Sequence, residues 1–156
     1  MEKKSTPGIL LIHENRKARF DYEIIETFEA GLALTGSEVK SLRDKNVQLK
    51  DSYISFVGNE AFLQNAHIAP YKSSSYNNHE PERLRKLLMN RIELSRIFGA
   101  LREKGYTCIP LKIYFKKGRA KLEIALVKGR KTHDKRESIK KKEIASQLRD
   151  SVRRSR

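Results

Sequence analysis

Ile109-Pro-Leu-Lys-Ile-Tyr-Phe-Lys-Lys-Gly-Arg-Ala-Lys-Leu-Glu-Ile-Ala-Leu126 is the stretch that decides the fold. Ile109, Leu111, Ile113 and Phe115 alternate along its first half, and Leu122, Ile124 and Leu126 alternate along its second. A period of two sends successive side chains to opposite faces of an extended chain, so each half reads as a half-buried strand. Lys117-Gly118 between them reads as the turn of a hairpin. Working outward, a second hairpin is expected where runs over 52–57 and 61–68 flank Gly58-Asn59, a two-residue turn pair. Phe20, Tyr22 and Ile24, followed by Phe28, Leu32 and Leu34, predict a long or bent strand with Gly31 as its bulge or bend. Ile9 to Ile12 form a shorter apolar run.

Two helices interrupt this pattern. Ser37 is the expected cap of a short one, with Val39 and Leu42 as its apolar side. The main helix is expected from near Pro81 to a cap at Gly105, because Leu84, Leu87, Leu88, Ile92, Ile97, Phe98 and Leu101 follow a 3.6-residue period. Strands, helix, strands in that order predict a mainly β fold with helices: a small antiparallel sheet or barrel with one main helix packed on it. Residues 1–8 read as a disordered N-terminus, 9–130 as the folded domain, and 131–156 as a basic tail. From Lys128 onward twelve Lys/Arg stand against four acids, and Ile144, Leu148 and Val152 make one narrow i, i+4, i+8 stripe. Such a segment is expected to be disordered when free and helical on a partner.

The charge balance narrows the function. A formal net charge of +15 on 156 residues repels itself unless a polyanion neutralises it. No run approaches the roughly 20 apolar residues of a spanning helix, and the start of the chain lacks the apolar core of a signal peptide. The lone Cys108 forms no internal disulfide and reads as a small buried hydrophobe, which fits a cytoplasmic protein. The four histidines, His13, His67, His79 and His133, lack metal-ligand or nucleophile spacing, and no phosphate-loop glycine pattern occurs. His67 reads as a structural histidine within an apolar strand. No cofactor and no catalytic centre are expected. The basic clusters Arg16/Lys17/Arg19, Arg83/Arg85/Lys86/Arg91, Lys116/Lys117/Arg119 and Lys128/Arg130/Lys131 suit phosphate. Zinc-finger spacing, heptads and a helix-turn-helix pair are absent, which favours RNA over DNA. Tyr71 and Tyr76 lie in a polar loop over 70–80, where they either stack on bases or pin the loop.

Several blocks carry a resemblance. Asn15-Arg-Lys-Ala-Arg19 precedes Gly31-Leu-Ala-Leu-Thr-Gly-Ser-Glu-Val-Lys-Ser-Leu-Arg43, then Asp51-Ser-Tyr53 and His67-Ile-Ala-Pro-Tyr71. Arg85-Lys-Leu-Leu-Met-Asn90, Gly105-Tyr106 and Val127-Lys-Gly-Arg-Lys-Thr-His-Asp-Lys-Arg136 follow. In this order, over roughly residues 9–145, the set closely resembles the small protein B, or SsrA-binding, family. The resemblance implies a six-stranded antiparallel OB-like barrel with packed helices. It also implies binding to the tRNA-like domain of transfer-messenger RNA, delivered to stalled ribosomes for trans-translation. The partners it implies are that RNA, the ribosome with its 16S rRNA and mRNA channel, and elongation factor Tu through the shared RNA. A monomer is expected.

Carried over residue by residue, the resemblance implies RNA contacts by Asn15, Arg16, Lys17, Glu38, Lys40, Leu88, Asn90, Lys128, Gly129, Arg130 and Lys131. Glu38 would accept from base or 2′-hydroxyl donors, Asn90 would read RNA groups from the main helix, and the cations would hold phosphates. His133, Asp134, Lys135 and Arg136 would work near the decoding centre, with the tail in the empty mRNA channel; the last stretch, 150–156, matches the family only in charge and helical potential, and Val152 is its expected apolar anchor. The alternative is a general structured-RNA-binding or ribosome-associated protein without that RNA preference.

Overall fold

The structure is a computed structural model that describes residues 8–72 and 78–129. The expected hairpin forms from β8 (Tyr106–Lys116) and β9 (Arg119–Gly129), which are preceded by β1 (Ile9–Glu14) and β2 (Tyr22–Leu32) and by β3 to β7. Those are β3 (Val47–Gln48), β4 (Tyr53–Val57), β5 (Glu60–Gln64), β6 (His67–Ile68) and β7 (Arg85–Leu88). The helices are α1 (Arg16–Asp21), α2 (Gly36–Arg43) and α3 (Arg91–Leu101). Lys117 and Gly118 both take positive φ (52° and 78°), the two-residue turn whose twist matches its strands. Gly58 (φ 62°) turns the β4–β5 hairpin.

Seven strands make one antiparallel sheet in the order β1-β8-β9-β2-β7-β5-β4, and β3 pairs β6 separately. This mainly β architecture with helices is the expected class, but it is not a closed six-stranded barrel. The far strand β4 curls back against β8, and Tyr53 packs on the cluster that contains Ile109 and Leu111. Among the described residues no ladder joins these two strands. The edge of β8 explains this. Pro110 has no N–H to give. The Asn15 N–H donates to the Leu111 carbonyl at 2.6 Å, and Asn15 Nδ2 donates to the Pro110 carbonyl at 3.2 Å. At Pro110 and Leu111 the groups that a closing strand would need are absent or taken.

The same anchoring at Asn15 turns the chain into α1, so residues up to Asp21 are helical and the strand starts only at Tyr22. Within β2 the register shifts between Ile24 and Glu26, so the bulge is at Ile25 and not at Gly31. Gly31 serves close approach instead: a Cβ there would stand 3.2 Å from the Leu88 Cβ. Thr35, not Ser37, caps α2, in a capping box with Glu38.

The largest departure lies at 81–105. Arg85 and Leu87 are buried while Lys86 and Leu88 are exposed, which is the period of a strand. β7 fills the gap between β2 and β5, pairing Gly31↔Leu88, Leu32↔Leu87, Phe62↔Lys86 and Leu63↔Arg85. The helix starts only after Asn90, whose Oδ1 accepts the Glu93 N–H at 2.9 Å. It ends at Leu101, short of Gly105, which opens β8 with φ 91°. Leu63, Ile68, Leu87, Ile97, Leu122 and Ile124 are among the most buried residues of the main core. Cys108 is buried beside them, and burial pushes its thiol up to about 12, so it stays protonated and inert.

The structural histidine is His79, not His67, whose side chain is 47% exposed. His79 Nε2 lies 2.8 Å from the Ile68 carbonyl and must donate to it, which leaves Nδ1 to accept from Ser37 Oγ at 2.8 Å.

Substituting Leu63 by Ala should cost about 2–5 kcal/mol of unfolding free energy in urea, because the site is closed on every side.

Candidate RNA-binding face

Cross-strand partners share a face, so the ladders place Leu11, Tyr114, Lys121, Gly31 and Leu88 in one row across five strands. This row lies on the outer face, since the core takes the alternate residues Ile113, Phe115, Leu122, Ile124, Leu32 and Leu87. Leu11 is 40% exposed and Leu88 54%. Gly31 contributes no side chain, and Leu88 leans over it, with Cβ 3.2 Å and Cδ1 3.6 Å from where a Gly31 Cβ would stand. Around the row the cations are partly neutralised: Lys112 pairs Glu123 at 3.1 Å, and Lys116 approaches Glu29 at 3.4 Å. The Tyr114 hydroxyl donates to Glu29 and, with Lys116, holds that carboxyl below its usual range.

Beyond Leu88 the face deepens into a groove of about 840 Å³ between the β4–β5 turn and the start of α3. Phe56, Lys86, Leu88, Asn90, Arg91 and Phe98 line it. Phe98 is held in place, with the Phe56 ring centroid 5.5 Å away and the Arg102 guanidinium 4.8 Å away. Apolar surface flanked by Lys86 and Arg91 suits a base with its phosphate.

Glu38 is not on this face. It is wholly buried, as is Arg85, and both carboxylate oxygens are engaged. Oε1 accepts from Arg83 Nη2 at 2.6 Å and from the Thr35 N–H at 2.9 Å, while Oε2 accepts from Arg85 Nε. Burial by itself would raise the Glu38 pKa, but the hydrogen bonds from Arg83, Thr35 and Arg85 outweigh it and hold the carboxyl at about 2. No RNA donor reaches it, so the expected role as a direct acceptor is withdrawn. Arg85, counted among the phosphate-binding cations, is likewise interior.

Asn90 stands at the strand–helix junction rather than within a helix. Its Oδ1 caps the helix and its Nδ2 donates to Glu93 Oε1 at 2.7 Å, which uses one of the two N–H groups of this exposed amide. Asn15 is half-buried and holds the β8 edge. Arg16 and Lys17 are exposed on α1, which leads into Tyr22, the partner of Gly129 at the end of β9. Lys128 is exposed and lies over the Tyr106 ring, 5.7 Å from its centroid. These residues share one end of the fold with Lys50, which lines a small cleft with Lys17 and Asp21. Lys40 lies on α2, 5.5 Å from the Tyr71 ring centroid, so one face of this loop tyrosine is already occupied. Arg130, Lys131, His133, Asp134, Lys135, Arg136, Val152 and Tyr76 lie outside the described residues. Lys121, Lys50, Phe56 and Phe98 were missed as site residues. Alternation on β9 places Lys121 opposite Leu122, which is a readable signal; the other three become neighbours only through the fold.

The SmpB protein family model matches residues 12–154. The chain belongs to this family. It is 76% identical over 149 residues to the SsrA-binding protein of Bdellovibrio bacteriovorus, covering 96% of this chain and 98% of that one. It is 54% identical to the SsrA-binding protein of Syntrophobacter fumaroxidans, over 94% of this chain and 90% of the other. In three dimensions it is similar to a chain in the solved structure "tmRNA-SmpB: a journey to the center of the bacterial ribosome", with a TM-score of 0.66 and 49% identity. That likeness covers 80% of this chain and 86% of the other.

Replacing Asn90 separates its capping role from any RNA contact. Asn90→Ala should lose about 1 kcal/mol of stability, whereas Asn90→Ser keeps an uncharged cap and holds the melting temperature near wild type. A weakened RNA titration for the uncharged Asn90→Ser at unchanged stability identifies the amide as an RNA contact.

Proposed function

We propose that this protein binds the tRNA-like domain of transfer-messenger RNA through the outer sheet face and adjoining groove, and accompanies it to stalled ribosomes for trans-translation. The observation that carries the reading is the 49% identity to a chain of the tmRNA-SmpB structure over most of both chains. The molecule supports it with exposed Leu11 and Leu88 on the same sheet face as half-buried Lys121, on a protein of net charge +15. The face is suited to splayed bases and sugar edges, because Leu88 and the groove offer apolar contact while Lys86, Arg91 and Lys121 stand near to meet phosphates.

The α1 end, with Arg16, Lys17, Lys50 and Lys128, is a second basic surface at the point where residues 130–156 begin. In this reading that surface and the tail serve the ribosome, with His133 to Arg136 near the decoding centre and the last segment in the mRNA channel. Elongation factor Tu joins through the shared RNA. The protein acts by binding, as a cytoplasmic monomer with no catalytic step of its own.

Titration at physiological salt with the tRNA-like domain and with an RNA duplex of equal charge tests this. The tRNA-like domain should bind at least ~100-fold more tightly, and Leu88→Ala should erode that margin. Lys121→Gln should weaken binding and flatten the dependence of log affinity on log salt by about one unit. Equal binding of both RNAs means charge alone drives association and favours the general RNA-binding reading. Deleting 132–156 should leave the titration intact and abolish rescue of stalled ribosomes in a translation extract; loss of both together contradicts the division of labour.

A further inference from the structure

We propose that Glu38, which no RNA group can reach, is a positioning residue for RNA recognition: through Arg85 and Arg83 it fixes β7 and thereby the place of Leu88 on the outer face. This rests on the reading of that face as the RNA site.

The geometry is that of a clamp. β7 is only four residues long and has two ladder partners on each side, so its own pairing gives it little purchase. Arg85, its first residue, supplies the rest. Its Nε donates to Glu38 in α2, Nη1 to the Ala66 carbonyl at 2.9 Å, and Nη2 to the carbonyls of Pro81 at 2.9 Å and Glu80 at 3.4 Å. Glu38 then reaches Arg83, whose Nη2 also donates to the Ala33 carbonyl just past β2. One carboxylate thus ties α2, the corner before β6, the 80–83 turn and the end of β2 to the first residue of β7. Leu88 is three residues further along, and its Cβ stands 3.2 Å from where a Gly31 Cβ would be. With that little clearance, a shift of β7 moves Leu88 into or away from β2 and changes its place beside Lys121.

Electrostatics alone points the other way. Removing a negative charge from a basic protein should tighten its hold on a polyanion. The clamp requires that it loosen the hold, and only for the RNA whose shape is being read.

The test is a double-mutant cycle in the full chain with Glu38→Gln, Leu88→Ala and the pair. Each is titrated against the tRNA-like domain and the equal-charge duplex, with unfolding midpoints recorded alongside. Glu38→Gln should lose roughly tenfold in affinity for the tRNA-like domain, with duplex binding unchanged or tighter. In the Leu88→Ala background the same change should cost less than roughly threefold, because coupled residues do not add. Additive losses, or a Glu38→Gln protein that keeps full preference for the tRNA-like domain, overturn the proposal. If Glu38→Gln does not fold, Glu38→Asp, which keeps the charge but cannot span both guanidinium groups, should show the same non-additive loss; preference kept by this variant overturns the proposal. Lack of preference in the wild type removes the RNA reading and the proposal with it, whereas preference retained by the variants removes the proposal alone.

Discussion

The contact on which the rest of the structure depends is the buried ion pair between Glu38 and Arg85. Both side chains are inaccessible to solvent, and their hydrogen-bonding capacity is largely spent inside the protein. Taking two charges out of water is costly, and a buried pair is often no more stabilising than packed hydrocarbon. What it supplies here is direction. Hydrocarbon at these positions would tolerate several placements of β7, whereas a guanidinium donating to a carboxylate and to three backbone carbonyls tolerates one. β7 bridges β2 and β5, so without it the sheet divides into β1-β8-β9-β2 and β5-β4.

The same pair changes how the charge composition is to be read. Of the cluster Arg83, Arg85, Lys86 and Arg91, Arg85 is interior, Arg83 is committed to Glu38, and Lys86 pairs Glu60 at 3.1 Å. On the outer sheet, Lys112 and Lys116 face Glu123 and Glu29. Exposed pairs of this kind contribute little to stability. They hold side chains in fixed orientations, and the face they leave is patterned rather than uniformly positive. A patterned face suits recognition of a folded RNA, while the α1 end and the segment beyond Gly129 carry a more concentrated positive charge.

The hairpins were legible because they are local. Alternation over Ile109–Leu126 and a turn of two positive-φ residues are set within a few residues, and both fell where expected. The helix at 81–105 misled for a physical reason. Leu84, Leu87 and Leu88 fit a 3.6-residue period, but the ladder partners that make 85–88 a strand lie in β2 and β5, far away in the chain. A nearer signal was present in Asn90-x-x-Glu93, a capping pattern that marks the true start of α3, and in Thr35-x-x-Glu38 for α2. Site residues divided in the same way. Exposed Leu88, Lys128, Arg16 and Lys17 stand where a partner can meet them. Glu38 was identified as important for the wrong reason, because an acid in a basic sequence marks a buried partner as readily as a ligand contact.

Glu38 also makes the account sensitive to acid in a defined sense. Its folded pKa of about 2 lies below the unfolded value, so its contribution is fully present above the ordinary carboxylate range and is lost as pH falls toward 2. The difference, on the order of 3 kcal/mol, should appear as a slope in unfolding free energy between about pH 5 and 2 that Glu38→Gln lacks. The most direct measurement of the central claim is residue-resolved amide hydrogen exchange in wild type and Glu38→Gln at neutral pH. If the pair fixes β7, protection falls at Ala33, which donates to the Lys86 carbonyl, and at Ile68, which donates to the Pro81 carbonyl, while Asn15, which donates to the Leu111 carbonyl of β8, keeps its own. Equal loss at all three sites, or no loss at Ala33 and Ile68, contradicts the account.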